Sequence, residues 1–217
     1  KLSGERVRDE LFKMLLSENK CDAIGRMILS GVANHFLPEA TSTNRLNRLM
    51  WLETSAIKVG SVGIDPVRRL ASIVDTDATG ARKIAERLRM SNAQRDHLIT
   101  LINPPWQVPR EILDDDLRTL LYRMEPARVI DLCLLEWASV LTNMPRLPRE
   151  HSLAWLRIID TADTWVAVDF PLSGRDARDL GLAEGPQIAE VLKHVENWWT
   201  SGGCRADRDA CLRRLQK

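Results

Sequence analysis

Lys1-Leu2-Ser3-Gly4-Glu5-Arg6-Val7-Arg8-Asp9-Glu10-Leu11-Phe12-Lys13-Met14-Leu15-Leu16 opens the chain and carries its own helix start signal. The Ser3 hydroxyl accepts a backbone N–H from the first turn at an N-cap position. Leu2 before it and Val7 after it have the spacing of a hydrophobic staple. Val7, Leu11, Met14 and Leu15 then fall on one helical face, with Arg6, Arg8, Asp9, Glu10 and Lys13 around most of the rest. The stripe predicts an amphipathic helix that closes a bundle.

The same grammar continues outward. Asp22 caps a segment carrying Ile24, Met27 and Ile28, and Gly31 suits the left-handed position that ends it. Leu37-Pro38-Glu39 breaks the chain, and Leu46, Leu49, Met50 and Glu53 mark a helix begun near Ser42 or Thr43. Asp65-Pro66 is an N-cap with proline at the first helical position, ahead of Val67, Leu70, Ile73 and Val74. Asp77 opens another helix with Ile84, Ala85 and Leu88. Ser91-Asn92-Ala93-Gln94 is a capping box before Leu98, Leu101 and Ile102. Asn103-Pro104-Pro105-Trp106 to Pro109 reads as a rigid loop and a seam. Beyond it come Leu117, Leu120 and Leu121, then Val129 to Trp137, then Leu153, Leu156 and Ile159 after the Pro145–Pro148 break. An all-α fold follows, an elongated multi-helix body with a small helical tail. Its segments are 1–103, a helical region at 104–169, and a tail at 170–217 that opens at Pro171.

At 217 residues the chain can bury a sizeable core, and 44% hydrophobic with 28% charged residues fits a soluble globular protein. No apolar run approaches the ~20 residues of a membrane span and no signal-peptide pattern occurs. A cytoplasmic protein without a membrane partner is expected. Cys21, Cys133, Cys204 and Cys211 have neither zinc spacing nor a disulfide framework, so reduced structural thiols are expected.

Charge is balanced at 31 basic against 30 acidic residues, which argues against a uniformly basic surface and permits a local patch. Pro66 to Arg95 holds Arg68, Arg69, Arg82, Lys83, Arg87, Arg89 and Arg95 against Asp75, Asp77 and Glu86. The competing account of this run is a solvated helix face with Arg82 and Glu86 as an i,i+4 pair. Asp114-Asp115-Asp116 has the carboxylates to bind Mg²⁺. It directly precedes Leu117, however, where Asp complements the helix dipole, and no nucleotide cradle accompanies it. His35, His97, His151 and His194 lack ligand or base spacing and read as surface or capping residues. No phosphate-cradling glycine loop or nucleophile elbow occurs. No catalytic residue and no metal ligand is therefore assigned.

The tail, Phe170-Pro171-Leu172-Ser173-Gly174-Arg175-Asp176 through Leu180-Gly181-Leu182-Ala183-Glu184-Gly185-Pro186-Gln187-Ile188, reads as a capped short helix, a turn and a second helix. It is like a helix-hairpin-helix with a long turn. Gly174-Arg175 and Gly185 through Gln187 are where a backbone phosphate would approach; a plain αα-corner is the alternative. Trp198-Trp199 offers a stacking surface, although helical spacing makes at least one of the two a packing residue.

The opening segment resembles the (I/L)S-x-ER-(I/V)-R-x-EL-x-K stretch of bacterial class II tRNA nucleotidyltransferases, the CCA-adding enzymes, and their poly(A) polymerase relatives. Gly31-Val32 to Leu37-Pro38-Glu39, Asp65-Pro66-Val67-Arg68-Arg69-Leu70-Ala71 and Arg87-Leu88-Arg89-Met90-Ser91-Asn92-Ala93-Gln94-Arg95-Asp96 are similar to that family's body. The Gly-Pro-x-Ile tail is similar to its C-terminal pattern, while Trp106 to Ile159 matches loosely. The resemblance implies the neck, body and tail of such a protein. The family's glycine-serine loop with paired aspartates and its Glu-Asp-x-x-Arg motif belong to an N-terminal catalytic head, and neither is found here. A chain without them is expected to be inactive alone. Mg²⁺ and CTP or ATP are implied for the intact enzyme, which adds CCA, part of it, or a poly(A) tail. The implied partners are that head and tRNA, gripped at its acceptor and TΨC arms. The resemblance makes Arg82, Lys83, Arg87 and Arg89 backbone contacts and Arg6 and Glu10 braces for the nucleotide-reading region. A helical protein–protein adaptor without nucleic-acid binding is the alternative, and suits the balanced charge.

Overall fold

A computed structural model describes residues 3–17, 21–57, 62–181 and 185–216. Leu2 of the expected staple, and Leu182, Ala183 and Glu184 of the expected tail turn, lie outside them. Among the described residues there are twelve α-helices and no β-strand; one isolated bridge joins Ala40 to Val74. The all-α expectation is borne out. No described helix is long and apolar enough to cross a membrane.

The chain packs as two compact units, Lys1–Arg110 with Ile130–Asp160, and Glu111–Val129 with Thr161–Lys217. These groupings follow packing, whereas the three segments read from the sequence follow chain breaks. The first unit contains α1 (Gly4–Leu16), α2 (Cys21–Leu29), α3 (Asn44–Trp51), α4 (Pro66–Ala71), α5 (Ala78–Arg87) and α6 (Asn92–Ile102). α7 (Asp114–Arg123), α10 (Gly174–Asp179), α11 (Pro186–Ser201) and α12 (Arg208–Leu215) belong to the second. α8 (Pro126–Asn143) and α9 (Arg149–Asp163) each contribute residues to both.

Local chemistry explains the starts. The Arg6 N–H donates to Ser3 Oγ at 3.4 Å, the Arg68 N–H to Asp65 at 2.6 Å and the Gly80 N–H to Asp77 at 2.8 Å. Ser91 and Gln94 complete a reciprocal capping box. Gly31 takes φ 77° after α2, the left-handed geometry that glycine adopts without strain.

In the first unit Leu11, Leu15, Leu46, Leu49, Leu70, Ile73, Ile84 and Leu98 are buried. Phe12 joins them, while Val7 and Met14, expected on the same stripe, are half-buried and line a surface groove. On α9 the expected Ile159 is buried, but Leu153 is exposed and Leu156 half-buried, and Trp155 and Ile158 are buried in their place. Trp155 stacks on Trp137 at 6.4 Å between ring centres, a packing surface that turns α9 away from the leucine face.

α3 runs into a π-helical turn, Leu52–Ala56, and this turn carries Glu53. Glu53 accepts from Arg68 Nε at 2.9 Å and from Arg69 Nε at 2.7 Å. Arg68 also reaches Asp131 at 2.6 Å, and His97 Nε2 lies 2.8 Å from the other Asp131 oxygen. All five side chains are buried. Two of the seven cations expected in the basic run are therefore interior residues, and His97 is not the surface or capping residue the sequence implied. Arg68 and Arg69 were missed as core residues because an arginine is almost never fully buried unless paired, and their partners lie far along the chain.

The second unit packs Leu172, Ala177, Val195, Trp199, Cys204, Cys211 and Leu215 together. Trp199 donates its indole N–H to the Ala206 carbonyl at 2.9 Å and meets Tyr122 and Phe170 edge-on. It is the packing member of the tryptophan pair.

Candidate nucleic-acid interface

The basic residues of α5 are sorted by what surrounds them. Ala81, Ile84 and Ala85 face the core, which leaves Arg82, Lys83 and Glu86 exposed. The Arg82–Glu86 ion pair of the competing account does not form among the described residues, although both side chains are exposed as that account has them. Arg87 is half-buried and clamped: its two terminal nitrogens donate to the two Glu39 oxygens, each at 2.8 Å, and one also reaches the Phe36 carbonyl at 3.3 Å. Such a two-pronged arginine–carboxylate pair is strong and directional. The Glu39 carboxyl is held below its usual range by the Arg87 hydrogen bonds, against the opposing effect of burial.

Glu39 is positioned by backbone pairing. Its carbonyl accepts from the Asp75 N–H at 2.9 Å, and the Thr41 N–H donates to the Ile73 carbonyl at 3.0 Å. The Leu37-Pro38-Glu39 break is thus pinned to the end of α4, and through Arg87 to α5.

Beyond Arg87 the chain turns sharply. Arg89 takes φ 49°, a left-handed conformation unusual for a side-chain-bearing residue, and its carbonyl accepts from Arg8 at 2.5 Å. α1 begins against this turn. A Cβ on Gly4 would stand 2.3 Å from the Arg87 carbonyl oxygen and 3.0 Å from Arg89 Cγ. Gly4 is there because only glycine permits this approach.

The result is an open groove of about 770 Å³ between the start of α1 and the end of α5, lined by Gly4, His35, Lys83, Glu86, Arg87 and Arg89 among others. Lys83 and Arg89 are exposed and in no ion pair among the described residues. Arg82 lines an adjoining hollow with Arg95 and Glu86. Of the expected contact residues, Lys83, Arg87 and Arg89 are brought together, with Arg87 neutralised by Glu39. Gly4, Arg8 and Glu39 were missed. Gly4 had a readable signal, a glycine within the first turn of a helix, where it costs stability unless something comes close.

Glu10, expected to brace with Arg6, pairs with Lys13 at 2.7 Å on an exposed face. Arg6 is exposed and lines, with Val7, Met14, Met27, Val32 and Phe36, an apolar groove of about 630 Å³.

In the second unit Gly174 starts α10, but the Asp176 carboxylate already accepts the Ser173 N–H at 2.7 Å and pairs with Arg208. Those hydrogen bonds from Ser173, with Arg208 beside them, hold the Asp176 carboxyl low. Arg175 is exposed and 3.9 Å from Asp179. Gly185 is exposed, and α11 behind it carries no acidic residue in its first turn and no side-chain cap; Pro186 brings no N–H, and the Ile188 N–H donates to the Gly185 carbonyl at 3.2 Å. Asp115 of the Asp114–Asp116 run pairs with Arg205, and among the described residues no three His, Cys, Asp or Glu side chains are grouped to hold a metal.

Exposed cations beside a capped, glycine-started helix suit contacts to phosphate. Residues 1–43 match the family model described as "Probable RNA and SrmB- binding site of polymerase A". The whole chain is 25% identical to mouse CCA tRNA nucleotidyltransferase 1, mitochondrial, and 24% identical to its human counterpart, covering 46% of each. A 65-residue stretch, 30% of this chain, is 42% identical to a quarter of an uncharacterized 28 kDa protein in the petA 5′ region of Rhodospirillum rubrum. The likeness to the CCA tRNA nucleotidyltransferases runs the length of the chain, and that to the polymerase A family model covers its first 43 residues. The chain spans less than half the length of the mouse and human relatives it matches.

Proposed function

We propose that this chain is the tRNA-gripping region of a CCA-adding or poly(A)-adding nucleotidyltransferase. The groove carries the reading: Lys83 and Arg89 stand exposed at the first turn of α1, beside the stretch that matches an RNA-binding family model. Phosphate oxygens would be met by Lys83, Arg89 and Arg82, with Arg87 holding the wall through Glu39. Gly185 to Gln187, at the start of α11 where no side chain caps the helix, supply a second phosphate contact; Gly174 and Arg175 contribute less, because Asp176 already occupies that helix end. Contacts of this kind grip shape and register without reading bases, which fits the acceptor and TΨC arms of tRNA. CMP and AMP transfer, with Mg²⁺ and CTP or ATP, falls in this reading to a catalytic head outside these 217 residues.

Titrating deacylated tRNA and a length-matched DNA duplex across salt tests the proposal. A preference for tRNA that weakens steeply with salt is expected, since each neutralised phosphate adds roughly 0.7–0.9 to the log–log slope. Equal or absent binding to both at low salt would overturn it. The apolar groove of Val7, Met14, Met27, Val32 and Phe36 beside exposed Leu29 favours a second reading, protein docking. Partner binding that barely responds to salt would be its mark.

A further inference from the structure

A second cavity, of about 500 Å³, opens in the first unit where the Asn103–Pro109 loop faces α3 and α8. That volume lies within the ~300–1,000 Å³ of small-molecule sites. Its lining combines three kinds of group. Trp106 is 42% exposed, an indole held by a proline-rich loop with no stacking partner among the described residues. Arg45, half-buried, donates Nε to the Leu135 carbonyl at 3.1 Å, which fixes the plane of its guanidinium. Among the described residues its two terminal nitrogens have no hydrogen-bond partner, and burial works against the charge they carry. Gln107, Asp75 and Glu136 are exposed members of the lining, and Thr76 adds a hydroxyl.

A half-buried arginine with free donors calls for an anion, preferably a planar or tetrahedral oxyanion. An exposed indole on a proline-constrained loop calls for a flat aromatic partner. Carboxylates and an amide accept hydrogen bonds from hydroxyls and amino groups. A nucleoside 5′-monophosphate unit presents all three within one small molecule: phosphate, base, and ribose hydroxyls or exocyclic amine. Asp75 and Glu136 oppose the phosphate, and Glu136 already favours the Arg45 charge; both carboxylates are exposed, so water and salt weaken that opposition without removing it.

We infer that the Arg45–Trp106 cavity binds one nucleotide, with its phosphate on Arg45, its base stacked on Trp106, and its sugar or base edge on Asp75, Glu136 and Gln107. The inference stands apart from the α1–α5 groove: it uses different residues and a different ligand contact. The nucleotide comes either free from solution or as an unpaired residue of an RNA strand, and the chemistry of the pocket is the same for both.

AMP and CMP are titrated against the chain by equilibrium dialysis, with indole fluorescence recorded in parallel. Saturable binding with quenching is expected, weakened about tenfold in Trp106→Ala, as removal of one base–aromatic stack implies, and comparably in Arg45→Gln. Trp106 is exposed, so Trp106→Ala keeps the test valid if Arg45→Gln unfolds. A single-stranded oligoribonucleotide competing with AMP would show that the unit arrives on RNA. AMP binding without such competition would assign the pocket to a free nucleotide. No saturation up to about 10 mM, where affinity is below ~3 kcal/mol, or binding untouched by Trp106→Ala, would overturn the inference. Neither result depends on whether Lys83 and Arg89 hold tRNA.

Discussion

Glu53 is the residue on which the first unit turns. Buried on the π-helical turn, it accepts from both Arg68 and Arg69, and Asp131 and His97 complete the set. Removing one member of a buried ion cluster leaves a desolvated charge without its partner, at a cost of about 3–5 kcal/mol. Glu53→Gln is therefore expected to lower the melting temperature sharply, whereas a change at the exposed Glu10–Lys13 pair should leave it nearly unchanged; calorimetry compares them. The cluster also sets the acid limit. Burial alone would raise the Asp131 carboxyl, but the His97 hydrogen bond and the Arg68 charge outweigh it and hold it below its ordinary value. A carboxyl depressed in the folded state stabilises above its unfolded value of ~3.9, and that contribution is lost as pH falls through the folded one. Stability measured from pH 5 down to 2 should drop in this window, and Asp131→Asn, less stable throughout, should drop less.

At the scale of elements, α1 and α5 meet through backbone. Gly4→Ala places a methyl 2.3 Å from the Arg87 carbonyl oxygen, an atom that cannot rotate aside. Alanine's helix propensity favours the change by less than the ~1 kcal/mol of a helix interior, because Gly4 is the first helical residue, while overpacking of this kind costs ~1–3 kcal/mol. The clash at a backbone atom should win, and Gly4→Ala should melt earlier than the parent chain. In the second unit α7 is tied to α11 by Tyr122, whose hydroxyl donates to Glu196 at 2.6 Å. Burial, then that hydrogen bond and the Glu196 charge, push the phenol up to about 12. A group raised in the folded state stabilises below its unfolded value of ~10 and loses that contribution as pH rises through the folded one. Alkaline melts between pH 9 and 12 should show this loss, and Tyr122→Phe should remove that part of the slope.

For the whole molecule, the prediction concerns which cations are free. Lys83→Gln with Arg89→Gln should flatten the salt dependence of tRNA binding by roughly 0.7–0.9 for each phosphate no longer neutralised, while Arg68 and Arg69, inside the core, should act on stability alone. A filter-binding series across salt, with melts of each variant, separates the two. The features legible in the amino-acid order were local: the caps at Ser3, Asp65, Asp77 and Ser91, the left-handed Gly31, the helical stripes and hence the all-α class. These depend on residues within a turn of one another, so spacing is enough to read them. The family likeness was legible too, since it rests on residue identity in order. Which charges are spare is instead a matter of packing. Arg87 and Arg89 look alike in sequence, yet one is neutralised by Glu39, 48 positions away, and the other is exposed. Likewise Arg45 and Trp106, 61 residues apart in the chain, share a cavity only because α3, the proline loop and α8 are packed together. Long-range pairing is fixed by the burial of several helices at once, and no local pattern along one helix encodes the partner it will meet.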